Sequence, residues 1–459
     1  MTEPRYQQDA RPGRKSVGNQ PVPGNEDYFF VVNFNNGNVN NNHRDNHNWV
    51  RPVRSLSPAP SSESPDAAAQ NPVGLRSVFH AWRQASRRKR PSRNKQNFEA
   101  RWIDSLPALQ REISSGTWQP SPTVCFVARR PKAREIHAPH FRDRVLHHWL
   151  VPHLERIYEP IFIHDSFANR KGKGTHAAVR RVQGFVRQVH SGQGGGWYLQ
   201  LDVWNFFNSI PRERLWQIIK RVLLRRGALD VVVRLTHALL RRSPLKVGVH
   251  NRSTAAERAL VPAHKRLANA PAGRGIPIGN LSSQFLANVL LNELDQYVKH
   301  TLKAQRYVRY VDDLVIIHHD RTQLAAWHRA IEGFLRDHLG LRLKDQGKLL
   351  PLTTGIDFLG YIIHPTHTRV RRRVISHARE SLEAWQRQHV RAGIISALPA
   401  ELQRIQNVWT SYKGHFQHAD SWRLTQDFYA RYPWLRAIEV KRRFAPAQHD
   451  QSIRISVMP

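Results

Sequence analysis

The sequence predicts an α+β fold built on antiparallel strands, and three observations carry the prediction. Two apolar runs, Tyr307-Val308-Arg309 and Leu314-Val315-Ile316-Ile317, flank the tetrapeptide Tyr310-Val311-Asp312-Asp313, which reads as strand, tight turn, strand. A second stretch, Trp197-Tyr198-Leu199-Gln200-Leu201-Asp202, reads as a strand ending in a carboxylate. Helical patterns lie between and after them. Phe285, Leu286, Val289, Leu290, Leu294 and Val298 mark the buried face of one helix, and residues 322–338 form another.

Two adjacent ionised carboxylates at the end of low-dielectric strands repel each other, and burial adds a desolvation cost. A divalent cation relieves both. A hard-oxygen site that leaves positions to water and phosphate suits Mg²⁺. The competing reading of Asp312-Asp313 is a hairpin turn with two solvated side chains.

Composition narrows the partner. The 459-residue chain is long enough for two or three structural units. Its 71 Lys and Arg against 35 Asp and Glu give a formal charge of +36, spread along the chain, which points to a polyanion and above all to nucleic acid. A ribosomal or packaging protein would share the charge, but 13 Trp and long apolar stretches indicate a folded machine. Cys125 is the single cysteine, so an intramolecular disulfide and a cysteine-cluster zinc site are excluded, as suits a reducing compartment. No run of 18 apolar residues and no signal-peptide core are present, so a cytoplasmic protein without a membrane partner is expected.

In chain order, residues 1–74 read as a disordered leader and linker. Tyr28 to Phe34 is strand-like, nine of residues 33–48 are Asn, and a Ser/Pro/Ala linker follows. Helical spacing begins near Val78 and is interrupted by the basic run Arg87 to Pro91. Val124–Val127 and the stretch Arg129 to Ile136 form a hairpin with a cationic tip, in which Lys132 and Arg134 suit a triphosphate or a template strand. Arg170, Lys171 and Lys173 alternate with glycines that let backbone approach phosphates, without the spacing of a P-loop, and read as template or primer contacts. Residues 243–273 lack periodicity and read as a basic surface insertion. Gly275 to Gln284 opens a helix with Ser282 or Ser283 as its cap. Gly355 to Ile363 reads as a tight hairpin, residues 376–430 as helical, and the chain from about 441 as loose.

Five of these stretches, in this order, resemble the palm of a reverse transcriptase: the basic hairpin 129–136, the Asp202 strand, the turn Gly275–Gln284, Tyr310-Val311-Asp312-Asp313, and Gly355–Tyr361. The resemblance covers roughly residues 75–375. It implies a right-hand polymerase with fingers and palm at 75–375, a helical thumb at 376–440 and a tail at 441–459. It also implies RNA-directed DNA synthesis from template RNA, a cDNA or DNA primer and deoxynucleotides. Asp202, Asp312 and Asp313 would be catalytic. Asp202, Asp312 and the Val203 carbonyl would hold two Mg²⁺ ions, with Asp313 in support. Phe207 would sit beneath the sugar and exclude a 2′-OH; the alternative is an ordinary core Phe. Lys348 would protonate pyrophosphate or else be a solvated lysine. Gly360 and Tyr361 would hold the primer end.

Ile278-Gly279, with Ser283-Gln284 further on, is similar to the reverse transcriptases of diversity-generating retroelements, where other bacterial enzymes carry Gln at the Ile position. In that family a template-repeat RNA is copied with errors at adenines, and a small basic accessory protein assists. Ile278 and Gly279 would face the nucleotide, and Ser283 and Gln284 the template or primer. The Asn-rich leader resembles a translated template repeat, whose adenine-rich AAC codons read as Asn. Two rivals remain: a defence-associated or other retroelement reverse transcriptase, and an inactive RNA-binding scaffold.

Overall fold

The computed structural model describes residues 32–33, 38–39, 73–87, 89, 91–129, 132–440 and 453–456. Most of the Asn-rich leader, and Arg130-Pro131 at the tip of the basic hairpin, lie outside the described residues. Within the leader, Val32–Asn33 pairs antiparallel with Asn38–Val39.

At the centre is a four-stranded antiparallel sheet in the order Tyr307–Tyr310, Asp313–His318, Trp197–Asp202, Lys348–Pro351. The helices Thr175–Gln193 and Arg321–Phe334 pack against it. The basic hairpin, Thr123–Ala128 against Arg134–Ala138, forms a second sheet, to which Val249–Asn251 adds a parallel edge. The segment read as a surface insertion is therefore part of this sheet, and it is anchored by Ser253 Oγ accepting from the Val127 N–H at 2.9 Å. No helix among the described residues is long and apolar enough to cross a membrane.

Helix Leu281–Gln296 buries thirteen of its sixteen residues. A helix enclosed on all sides must pair every polar group it carries. Asp295 meets that requirement through Arg309, whose Nη2 lies 2.6 Å from Asp295 Oδ2 with neither side chain exposed. Arg309 also donates to Asn288 Oδ1 at 3.0 Å, to Ser166 Oγ at 3.0 Å and to the Val311 carbonyl at 3.0 Å. The Tyr307 hydroxyl donates to Asp295 at 2.7 Å. One guanidinium thus joins the central hairpin, the buried helix and the loop around Ser166. It also braces Val311, whose φ of +57° is costly for a β-branched residue and persists only where the surroundings impose it. The expected serine cap of this helix is not formed. Asn280 is the N-cap, and Ser282 and Ser283 are buried inside the first turn.

A separate apolar core runs from Val370 to Ile455. It contains helices Arg372–His389 and Pro399–Phe416, but the stretch between them is not helical as the sequence led us to expect. Val390–Arg391 and Ile394–Ala397 form a hairpin, turned by Ala392 and Gly393 at φ of +46° and +72°. Ile394 to Ala397 alternates exposed and buried side chains, a period of two that overrides the helical reading. Ile453–Ser456 pairs with this strand, so the expected loose tail contributes a third strand to the small sheet.

The two cores meet at Tyr361. Its hydroxyl lies 3.3 Å from His176 Nδ1 and 3.1 Å from His415 Nδ1, and donates to the His415 carbonyl at 2.9 Å. His176 stacks on His418 at 3.7 Å. Burial first, then the neighbouring His418, His415 and Arg180 charges, push His176 down to about 4. Burial likewise lowers His415 to about 4.

Two predictions follow from these joints. Arg309→Met or Asp295→Asn alone should cost about 3–5 kcal/mol in urea unfolding, because each strands a buried partner. The double variant Arg309→Met/Asp295→Leu should recover part of that loss, and equal costs for single and double variants would refute the pairing. For the histidines, the folded pKa lies below the unfolded value of about 6.5. Their contribution is complete above pH 6.5 and falls as pH drops towards 4. The fall in thermal midpoint between pH 7 and pH 4.5 should therefore be smaller in His176→Asn/His415→Asn than in the parent chain.

Candidate active site

The register of the central sheet builds the site. Asp202 is the direct cross-strand partner of Asp313. Directly opposed residues share a face with Cβ atoms about 5 Å apart. Asp312 occupies the adjacent turn, and Val203 follows Asp202 out of the strand. All four line one cleft of about 650 Å³.

The cleft gathers residues from distant parts of the chain. Lys132 and Arg134 reach it from the basic hairpin, Phe207 from the turn after Asp202, Ile278 from the loop before the buried helix, and Lys348 and Gly360 from beyond the hairpin. Phe207 is buried and Ile278 half-buried. The Ile278 carbonyl accepts from the His137 N–H at 2.8 Å, which ties this loop to the basic hairpin. Gly279 follows at φ +119°, and a Cβ there would lie 2.9 Å from Ile136 and 3.1 Å from the His137 carbonyl. Glycine is thus required for the close approach of loop and hairpin, and Gly279 acts on the cleft by placing Ile278.

Other expected contacts lie elsewhere. Arg170 turns inward, donating to Glu159 at 2.8 Å and to the Ile163 and Ser166 carbonyls at 2.7 and 2.9 Å. Its role is to staple the loop rather than to meet a template. Lys171 is exposed, 3.6 Å from Glu155, and Lys173 donates to the His164 carbonyl at 2.9 Å; neither lines the cleft. Ser283 and Gln284 are buried in the helix. Tyr361 is buried at the junction between the two cores and does not line the cleft, whereas Gly360 beside it does.

The structure adds residues that the sequence reading passed over. Lys344, not only Lys348, faces the carboxylates: its Nζ donates to Asp202 Oδ2 at 3.1 Å, and its N–H donates to the Asp202 carbonyl at 2.9 Å. This hydrogen bond raises the Lys344 pKa. His264 and Lys265 enter the cleft from the segment read as a surface insertion. The short helical turn that delivers them has no apolar period for a sequence reading to find.

Electrostatically the carboxylates are incomplete alone. Burial, then Asp202, then Asp313, push the Asp312 pKa well above the usual carboxylate range, with Arg134 opposing the shift. Three oxygen-bearing side chains that cannot all ionise together lack positive charge, and an all-oxygen donor set fits Mg²⁺. Asp202, Asp312 and the Val203 carbonyl would hold it, with Asp313 alongside. A different group with metal-ligand proximity, Cys125, Glu135 and His137, is engaged in part by its own hydrogen bonds. Glu135 accepts from Leu267 N–H at 2.7 Å and lies 3.1 Å from His137. Burial, then Glu135, push Cys125 up to about 12, which disfavours the thiolate a metal needs.

Relief of the carboxylate repulsion is testable without an activity assay. Asp312→Asn should raise the thermal midpoint in EDTA and abolish the stabilisation that Mg²⁺ gives the parent chain. Equal Mg²⁺ stabilisation of both proteins would refute the assignment.

Comparison with known proteins agrees with this geometry. Residues 128–363 match the family model "Reverse transcriptase (RNA-dependent DNA polymerase)". The chain is 24% identical over 304 residues to protein YkfC of Escherichia coli K12, covering 58% of this chain and 73% of YkfC. It is 21% identical over 255 residues to the group II intron-encoded protein LtrA of Lactococcus lactis, covering 54% of this chain but only 38% of LtrA. An apo telomerase structure from Candida tropicalis aligns with a TM-score of 0.40 and 10% identity over 55% of this chain and 56% of that one, values too low to carry an argument. The family match takes in the basic hairpin from Ala128, all three carboxylates and the hairpin through Ile363, and on that match the chain belongs to the reverse transcriptase family of RNA-directed DNA polymerases.

Proposed function

We propose that this chain copies a template-repeat RNA into cDNA with adenine-directed errors, as the reverse transcriptase of a diversity-generating retroelement. The reading rests on one observation: the cleft wall carries Ile278 where a hydrogen-bonding side chain is the common alternative. Selectivity that depends on a buried polar contact is lost when the contact cannot form. An apolar Ile278 leaves the template–nucleotide pair held by shape alone. The Asn-rich leader, with its implied adenine-rich coding sequence, is consistent with the same element.

In the chemical step the primer 3′-OH attacks the α-phosphorus of a deoxynucleotide, the bond to the bridging oxygen breaks, and pyrophosphate leaves. Bound Mg²⁺ would lower the pKa of the attacking hydroxyl and neutralise the leaving group. Arg134 and Lys132 face the triphosphate across the cleft and stabilise charge that grows in the transition state. Lys344 and Lys348 both line the cleft, and we assign the proton given to pyrophosphate to Lys348, because the Asp202 contact that raises the Lys344 pKa makes Lys344 the weaker acid. Phe207 excludes the ribose 2′-OH. Template RNA, a cDNA or DNA primer and a small basic accessory protein complete the assembly.

Sequencing cDNA made by the purified chain on an adenine-rich RNA, with the accessory protein added and Asp312→Ala as control, tests the reading. Errors should concentrate at template adenines, and Ile278→Gln should lower them about tenfold. Accurate cDNA from the parent chain would instead support a defence-associated or other retroelement enzyme. Phe207→Ala should raise ribonucleotide incorporation at least tenfold while leaving deoxynucleotide use largely intact; unchanged sugar selection would return Phe207 to an ordinary core role.

A further inference from the structure

A second cavity, of about 420 Å³, adjoins the catalytic cleft. The two share one wall, made of Trp204, Asn205 and His264. Three arginines, Arg274, Arg336 and Arg342, line the second chamber and are absent from the first.

The chamber is a product of the catalytic strand itself. Beyond Asp202 the chain pairs Val203 with Leu343, and the Trp204 N–H donates to the Arg342 carbonyl at 2.8 Å. Asn205 then turns at φ +44°, and its side-chain amide donates to the His264 carbonyl. This places the His264 ring nearly parallel to the Trp204 indole, 19° between planes and 5.9 Å between centroids. The Arg342 guanidinium lies 5.4 Å from the same indole.

The cations differ in how they are held. Arg274 is fixed by donating to the Ser209 and Gly340 carbonyls at 2.9 and 2.6 Å. Arg336 pairs with the exposed Asp337 at 2.8 Å. Among the described residues, no hydrogen bond or ion pair is formed by the Arg342 guanidinium, which lies over the indole. A guanidinium on an aromatic face keeps its in-plane N–H donors for another acceptor. The chamber therefore offers the Trp204–His264 aromatic wall and three guanidinium groups, one of them paired with Asp337 outside the lining. Its volume is that of a small-molecule pocket. These features match a ligand with a planar ring and several negative charges.

We propose that the chamber binds a second nucleoside triphosphate, outside the catalytic position, with its base against Trp204 and His264 and its phosphates on Arg336 and Arg342. The shared wall makes it a holding site from which a nucleotide passes by Trp204 into the cleft. The inference rests on membership of the polymerase family and not on error-prone copying.

Equilibrium dialysis of labelled dTTP against the full chain, in EDTA and without primer–template, tests it. Without metal a triphosphate can still meet Lys132 and Arg134 in the cleft, so Lys132→Gln/Arg134→Gln is dialysed alongside, and binding that survives in it reports the chamber. The parent chain and Asp312→Ala should bind alike. Arg336→Gln/Arg342→Gln, two exposed positions whose change leaves the cores intact, should bind at least tenfold more weakly. In primer extension the double variant should raise KM for dNTP severalfold with kcat unchanged. Wild-type dTTP binding by the double variant, or no binding by the parent chain at millimolar dTTP, overturns the proposal. So does a double variant that loses affinity only for a single-stranded RNA oligonucleotide, which would assign the chamber to the template. None of these readouts depends on copying fidelity, so each stands whatever the error spectrum shows.

Discussion

The ion pair between Arg309 and Asp295 is the joint on which the catalytic turn depends. A buried pair of this kind is seldom more stable than a well-packed apolar pair of the same volume, because both charges lose their hydration. Here it does something an apolar pair cannot. The guanidinium supplies donors to Val311, Asn288 and Ser166 as well as to Asp295, so the hairpin, the buried helix and the loop around Ser166 acquire one geometry. Val311 can then hold a left-handed backbone that a valine in an isolated turn would abandon. Asp312, the next residue, is aimed by that strain.

Charge in the cleft is arranged as two incomplete halves. On one wall, Asp202 and Asp313 stand close enough to Asp312 to add to the burial that suppresses its ionisation. On the other, Lys132 is pushed down by burial and then by Lys265, Lys344, Arg134 and Arg373. Lys344 on Asp202 joins the two walls at one point and leaves the rest of each wall's charge unmatched. A triphosphate carried with a divalent cation would satisfy both. This is the sense in which binding energy is prearranged: the fold carries the repulsion, and the ligand relieves it.

The second core meets this cleft at a short hairpin and at Arg371, which lines the cleft and pairs with Asp357 at 3.0 Å. Leu359 and Gly360 form the hairpin's turn at φ of +51° and +92°, with Gly360 on the cleft and Tyr361 stacked on His415 of the helix Pro399–Phe416. Adjacent residues therefore face the cleft and the second core. Neutral histidines keep that contact compact; protonating them would put like charges in a stacked cluster.

Sequence by itself determined the elements whose information is local. Tyr310 to Asp313 between two β-branched runs, and Asp202 at the end of another, needed only strand periodicity and turn chemistry to be found. Phe207 and Ile278 were legible only through the resemblance to reverse transcriptases that these strands carry. What the sequence could not show was which surfaces meet. Arg170 and Tyr361 are chemically suited to bind nucleic acid, but long-range pairing consumed them in the interior, at Glu159 and at His415. Lys344 was favoured over Lys348 as the carboxylate partner by a loop conformation, and His264 and Lys265 reached the cleft from a segment with no period at all. The period of a strand is written in neighbouring residues, whereas the sharing of a cation between two distant loops depends on desolvation and packing that exist only once the chain has closed.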